Sequence, residues 1–341
     1  MSDKMNAVVM TAVGGPEVLQ WRSVARPHIS HPREILVRVM ATGVNPADLR
    51  IRKRLPPMTD WEVPAEGIIL GLEGSGVVEA VGAEVSRFRP GDEVYYADGG
   101  YINVQGSYAQ FKVLDERYVA RKPRSLSFAQ AAVLPVVAIT TWEALYDRVG
   151  LKSGESLLVQ GGLGGLGHIG IQLGVLRGAR VAVTVSTPAK AALARKLGAE
   201  CVILYKDEDV GTAVRAWSGK DGADVIYDTV GDGVFVPSFD LLATYGRLVS
   251  AAYPTAWPRE GIFSTALKNV SVTFEAMGHA LAHPGLRAEQ TRILEAVAKT
   301  VDEGKLQVLL DRSYPLADAA KAQDALERGE IIGRLALEIA H

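Results

Sequence analysis

The residues Gly162-Leu-Gly164-Gly165-Leu-Gly167 have the spacing G-x-G-x-x-G. Glycines so spaced allow a tight turn and let the backbone approach a pyrophosphate, which then rests on the N–H groups of a helix N-terminus. The spacing alone is weak, because glycine-rich turns are common. Its setting is more specific: the apolar run SLLVQG (156–161) precedes it, and the helix-like run GHIGIQLGVLRG (167–178) follows. A strand-to-helix turn that binds nothing is the plain alternative. The end of the next strand discriminates between cofactors. A site for NAD normally sets Asp or Glu there, about 20 residues on, against the ribose 2′-OH. Here the chain reads Val185-Ser186-Thr187-Pro188-Ala189-Lys190, and the next acid is Glu200. Hydroxyls and a lysine suit a 2′-phosphate, so NADPH is expected over NADH. Val230-Gly231 and Ser250 to Tyr253 end later strands, where ligands of open α/β sheets gather.

Other chemistries find little support. No Ser/His/Asp set accompanies a nucleophile elbow, so hydrolase chemistry lacks its nucleophile. Cys201, the sole cysteine, excludes an intramolecular disulfide and a multi-cysteine zinc site. It begins an apolar strand and reads as a small filler. His279 and His283 stand at i, i+4, but Pro284 follows and no third ligand is near, so a solvated helix end is expected. His168, in the glycine-rich helix start, reads as a packing residue. The 37 Lys+Arg against 39 Asp+Glu leave a net charge of −2, without the basic footprint of a nucleic-acid binder. The one basic run, Arg50-Ile-Arg52-Lys-Arg54, is short and is expected to form a flexible flap, with Arg50 or Arg52 offered to an acceptor oxygen or carboxylate.

These residues need a scaffold, and 341 residues, 48% of them hydrophobic, are enough for two domains. Up to about Arg124 the chain alternates short β-like runs with Gly and Pro: EILVRVMATGV (34–44), GSGVVEAVG (74–82), DEVYYADGG (92–100) and YAQFKVL (108–114). Such runs predict half-buried antiparallel strands and a small barrel or sandwich. Ser127-Phe-Ala-Gln130 then forms a capping box before an apolar helix expected to run to Val149. Beyond it, strands and helices alternate as in a parallel sheet covered on both faces. The last strand-like run of that series, NVSVTFEAM (269–277), reads as an edge that could pair with a second copy. The N-terminus lacks the apolar core of a signal peptide, and the longest apolar stretch, Ala131 to Ile139, is too short to span a bilayer. A cytoplasmic protein without membrane partners is expected.

The chain resembles the medium-chain dehydrogenase/reductase superfamily and, within it, the zinc-independent quinone oxidoreductase group. The resemblance covers essentially the whole length. It rests on Gly43-Val-Asn45-Pro-Ala-Asp48, Gly71-Leu-Glu73-Gly-Ser-Gly76-Val-Val-Glu-Ala-Val-Gly82 and Phe88-Arg-Pro-Gly91-Asp92-Glu-Val94. It continues through Gly106-Ser-Tyr108-Ala109, the turn at 162–167 and Lys196-Leu-Gly198-Ala199, and closes with Tyr314-Pro-Leu316 and Gly333-Arg334. The fold it implies is α/β: a GroES-like β-barrel catalytic domain (1–130, completed by 278–341) and a doubly wound Rossmann domain (131–277). It implies site positions for Asn45 and Asp48 near the nicotinamide; a turn or helix start is the other reading of Asn45-Pro46. On the cofactor side it marks Thr140, Gly164, Gly165, Leu166, Ser186, Lys190 and Tyr205. Gly162 and Gly167 of the turn, the strand-end residues Val230, Ser250 and Tyr253, and Arg334 of the closing motif complete the expected cofactor site. It implies a homodimer whose sheet runs through both subunits.

Departures count as well. Zinc alcohol dehydrogenases carry Cys where this chain has Asn45 and His where it has Leu72, and a catalytic zinc needs about three N, S or O ligands. No metal is expected. Without a Lewis acid, an unactivated alcohol is hard to oxidise, whereas hydride transfer to an electron-poor small molecule is easier. The sequence therefore points to NADPH-dependent reduction of a quinone or an α,β-unsaturated carbonyl compound. An enoyl-thioester reductase and a non-enzymatic NADPH-binding protein are the alternatives. Where the family often has an aromatic residue two positions after the Asp, Arg50 stands here.

Overall fold

A computed structural model describes residues 3–53, 62–100, 104–255, 262–278, 283–329 and 331–341. The chain opens with β1 (Lys4–Met10), β2 (Leu19–Ala25) and β3 (Glu34–Val44), then α1 (Pro46–Lys53). β4 (Ile68–Ile69), β5 (Glu73–Val81), β6 (Glu93–Ala97), β7 (Phe111–Asp115) and β8 (Val119–Arg121) follow. Next come α2 (Phe128–Ala132) and α3 (Pro135–Trp142). An alternating series then runs β9 (Ser156–Gln160), α4 (Gly167–Leu176), β10 (Arg180–Val185), α5 (Pro188–Lys196), β11 (Cys201–Leu204) and α6 (Val210–Ser218). It ends with β12 (Ala223–Asp228), α7 (Ser238–Leu241), β13 (Leu242–Ser250), α8 (Ile262–Leu267) and β14 (Ser271–Phe274). The tail adds α9 (Pro284–Asp302), β15 (Leu310–Pro315), α10 (Ala319–Glu327) and β16 (Arg334–Glu338).

Two compact units result: Met1–Val136 with His279–Gly304 and Val308–His341, and Val137–Gly278 with Lys305–Gln307. In the first, β3 is central. It pairs antiparallel with β5, β7 and β16, and the sheet runs β15-β16-β3-β5-β6-β8. Its apolar positions, such as Ile35, Val37 and Val39, are fully buried, as alternation in a barrel strand requires. In the second unit the strands are all parallel, in the order β11-β10-β9-β12-β13-β14. Counting from β9, that is the 3-2-1-4-5-6 order of the doubly wound dinucleotide fold.

The single helix expected from Ser127 to Val149 is instead broken. The capping box forms, with Gln130 N–H on the Ser127 hydroxyl, but α2 ends at Ala132. Pro135 lacks an N–H and disfavours helical geometry at Leu134, so α3 starts afresh there, and its end widens into a π-helical turn, Glu143–Arg148. The expected edge strand is also shorter than 269–277. It holds only Ser271–Phe274; at its start, Asn269 takes a positive φ of 52°, which keeps that residue out of the strand.

Candidate active site

In the parallel unit, β9 delivers the chain to the glycine turn and α4 receives it. A Cβ on Gly162 would lie 1.7 Å from Val183 Cγ2 on the neighbouring β10, and one on Gly167 would lie 2.2 Å from the Gly161 carbonyl oxygen. Only glycine lets strand, turn and helix approach so closely, and the same closeness exposes backbone N–H groups of the first helical turn to an anion. His168 sits at this start, fully buried, with Nδ1 2.9 Å from the Gly164 carbonyl oxygen. It is a packing residue, as its setting suggests.

The strand order lines up the remaining cofactor-side positions along the carboxyl ends of the sheet. Tyr205 follows β11, Ser186 and Lys190 follow β10, Val230 follows β12, and Ser250 to Tyr253 close β13. Tyr205 is 49% exposed and Tyr253 45%. Large apolar surface at the ligand-binding crest of such a sheet is available for stacking. After β10, the Thr187 hydroxyl caps α5 by accepting the Lys190 N–H at 3.3 Å, which places the lysine in the helix's first turn. Ser250 is different: its buried hydroxyl donates to Asp228 Oδ2 at 2.7 Å. Asp228 also accepts the N–H groups of Val230 and Gly231 at 2.9 and 2.8 Å, so it shapes the loop after β12. Thr140 lies on α3 and is nearly enclosed. These groups fit a dinucleotide: a cradle without room for Cβ, no acid after β10, and a cation in its place.

The barrel unit carries the other cluster. Asn45 follows β3 and precedes α1, Glu73 begins β5 and Arg334 begins β16, so three neighbouring strands deliver them together. All are buried, at 2%, 0% and 3% exposure. Asn45 Nδ2 donates to Glu73 Oε1 at 2.9 Å, and Arg334 Nη2 donates to Asn45 Oδ1 at 2.8 Å. Arg334 also pairs directly with Glu73. Glu73 Oε2 accepts the Val136 N–H at 2.8 Å, and Arg334 Nε donates to the Val133 carbonyl at 3.2 Å. Burial pushes the Glu73 carboxyl above the ordinary carboxylate range, while Arg334 and the donors pull it back.

Asp48 stands one helical turn on. Its Oδ2 accepts the Asn45 N–H at 2.8 Å, half of a capping box, and the Tyr108 hydroxyl at 3.3 Å; its Oδ1 accepts the Gly71 N–H at 3.2 Å. Burial raises its pKa to about 7, against those donors and with help from the negative charge of Glu73. The helix-start reading of Asn45-Pro46 is realised, and the Asn45 side chain joins a buried polar cluster.

The basic run is not a flap. Arg50, Arg52 and Lys53 form the last turns of α1, and Arg54 lies outside the described residues. Arg50 is exposed, but Arg52 is fully buried and pairs with Glu327 of α10 at 3.2 Å, and Lys53 pairs with the same carboxylate. The helical period sends Arg52 to the core face along with Asp48, so it is no mobile cation. His283 is exposed at the start of α9, and His279 lies outside the described residues. Glu73 and Asp228 are the polar residues that the sequence reading passed over. Their signal is an acid inside an apolar strand run, as in GLEGSG and DVIYDTVG.

The chain matches two family descriptions: "Alcohol dehydrogenase GroES-like domain" over residues 31–124 and "Zinc-binding dehydrogenase" over residues 197–337. It is 34% identical to a quinone oxidoreductase of Pseudomonas aeruginosa, over 97% of this chain and 98% of that protein. A quinone oxidoreductase structure from Pseudomonas syringae superposes with a TM-score of 0.85 at 34% identity, covering 98% of this chain and 99% of the other. The chain belongs to the medium-chain dehydrogenase/reductase superfamily, in its quinone oxidoreductase group. It is thereby an NAD(P)-dependent oxidoreductase. A 2-methylene-furan-3-one reductase of Solanum lycopersicum is 37% identical over 67% of this chain and 58% of its own length. Asn45 and Leu72, which the sequence resemblance set where zinc alcohol dehydrogenases carry Cys and His, are a carboxamide and an alkyl group. Among the described residues no group of three or more His, Cys, Asp or Glu could hold a metal ion.

Proposed function

We propose that this oxidoreductase transfers hydride from NADPH to a quinone or to a C=C conjugated with a carbonyl, without zinc. The observation that carries the cofactor choice is the end of β10, where Ser186, Thr187 and Lys190 stand and no acid does. NADPH, when bound, supplies the hydride; the chain's own residues must bind, orient and stabilise. The glycine turn and the α4 N-terminus hold the pyrophosphate, and Lys190 holds the 2′-phosphate. Tyr205 and Tyr253 offer stacking faces. At the acceptor, negative charge grows on an oxygen as hydride arrives. Asn45 has one Nδ2–H engaged by Glu73 and a second to give, and a fixed donor in a dry site stabilises such an oxyanion strongly.

An enoyl-thioester reductase would want free cations for a phosphopantetheine arm. Arg52 and Lys53 are both engaged with Glu327, which favours the smaller acceptors. Steady-state turnover across quinones, enones and enoyl thioesters tests this: the first two should turn over well, and a preference for the thioesters would reverse the reading. We also propose that β14, an edge strand with Phe274 44% exposed, pairs with its copy in a homodimer.

A further inference from the structure

Glu73 lies fully buried at the head of β5, with a leucine before it and a glycine after it. A carboxylate there costs desolvation unless every lone pair is used well. Its Oε1 takes Asn45 Nδ2 and Arg334 Nη2, and its Oε2 takes the Val136 N–H. Arg334 closes the triangle by donating to Asn45 Oδ1 at 2.8 Å.

The triangle removes an ambiguity that an asparagine otherwise keeps. A guanidinium can only donate and a carboxylate can only accept. The Asn45 amide makes both bonds in one orientation alone. Turned over, it would set its NH2 against Arg334 and its carbonyl against Glu73. In the orientation found, one Nδ2–H is left over, and it belongs to the donor end of the amide. We propose that Glu73, acting with Arg334, is a positioning residue that fixes which end of the Asn45 amide meets the acceptor oxygen; this rests on the reading of Asn45 as the oxyanion donor. A neutral partner at position 73 accepts or donates equally well. Arg334 would then hold the amide alone through Asn45 Oδ1; with both charges gone the amide could reverse and present its carbonyl to an oxygen that is gaining negative charge.

The test is single-turnover hydride transfer from NADPH to a benzoquinone in Asn45→Ala, Glu73→Gln and the double variant, with NADPH affinity and Tm measured alongside. Asn45→Ala should slow the step by ~10²–10³. Glu73→Gln, in which Arg334 alone still holds the amide, should slow it less than Glu73→Gln combined with Arg334→Met, where the loss should reach at least about tenfold. The Asn45→Ala/Glu73→Gln double variant should be no slower than Asn45→Ala, because the two residues act as one unit. NADPH affinity should stay within about twofold, since the phosphate contacts are made elsewhere in the chain. Losses that add in full would show that Glu73 acts through packing alone and would overturn the proposal. An unchanged rate in Asn45→Ala would instead remove the donor reading itself. Glu73→Gln leaves Arg334 buried without its counter-charge and can fail to fold. Glu73→Gln combined with Arg334→Met removes both charges; it should fold and still transfer hydride slowly, and a parental rate in it would also overturn the proposal.

Discussion

Asn45 and Lys190 carry the two residue-level claims, one on chemistry and one on cofactor choice. Asn45→Ala deletes the donor to the developing oxyanion and should depress kcat by ~10²–10³ with KM for NADPH little moved. Steady-state kinetics at saturating NADPH checks this. Lys190→Ala removes a charged contact to the 2′-phosphate, worth ~1.5–3 kcal/mol, or roughly tenfold or more in affinity. Titration by fluorescence should show NADPH weakened and NADH unchanged; equal dissociation constants for the two in the parent would refute the cofactor assignment. Lys190 was legible from its place after a strand end, and Asn45 only through the family resemblance. Glu73 and Asp228 were not. An acid in a strand reads as a solvent-facing residue, and only neighbouring strands reveal that its partners, Arg334 and Ser250, lie far along the chain. Arg52 misled for the opposite reason: its charge suggested exposure, but the α1 period turned it inward.

Among elements, β14 and the π-helical turn meet at a buried acid. Glu275 follows β14 at 1% exposure, paired with Arg148 at 3.0 Å and facing the Glu143 carboxyl. Burial first, then Glu143, raise its pKa from 4.5 to about 8. The folded state therefore holds a proton that the unfolded chain releases above about pH 4.5. Stability should fall as pH rises from there through about 8, and Glu275→Gln, which has no proton to lose, should flatten that slope in Tm measured across pH. The edge strand itself yields a separate expectation. Val272→Pro removes an N–H from β14 and, if that group faces the copy, should convert dimer to monomer in light scattering. A parent already monomeric at micromolar concentration would dispose of the dimer. Periodicity located most of these elements, because alternating and helical patterns report burial directly. It missed the break at Pro135 and overran β14, where a single backbone constraint outweighs an apolar pattern.

At the scale of the whole molecule, the six parallel strands in 3-2-1-4-5-6 order and the mainly antiparallel sheet built on β3 account for the α/β class read from texture. What texture could not supply is long-range pairing: β16, nearly 290 residues after β3, completes the barrel sheet and brings Arg334 to Asn45. The central claim, hydride transfer from NADPH to an electron-poor acceptor without a metal, concerns the assembled protein. It is tested most directly by following NADPH oxidation with a benzoquinone after exhaustive chelation, with elemental analysis of the same sample. Full turnover with no stoichiometric zinc is the result expected. Loss of turnover on chelation, restored by added zinc, would contradict the account.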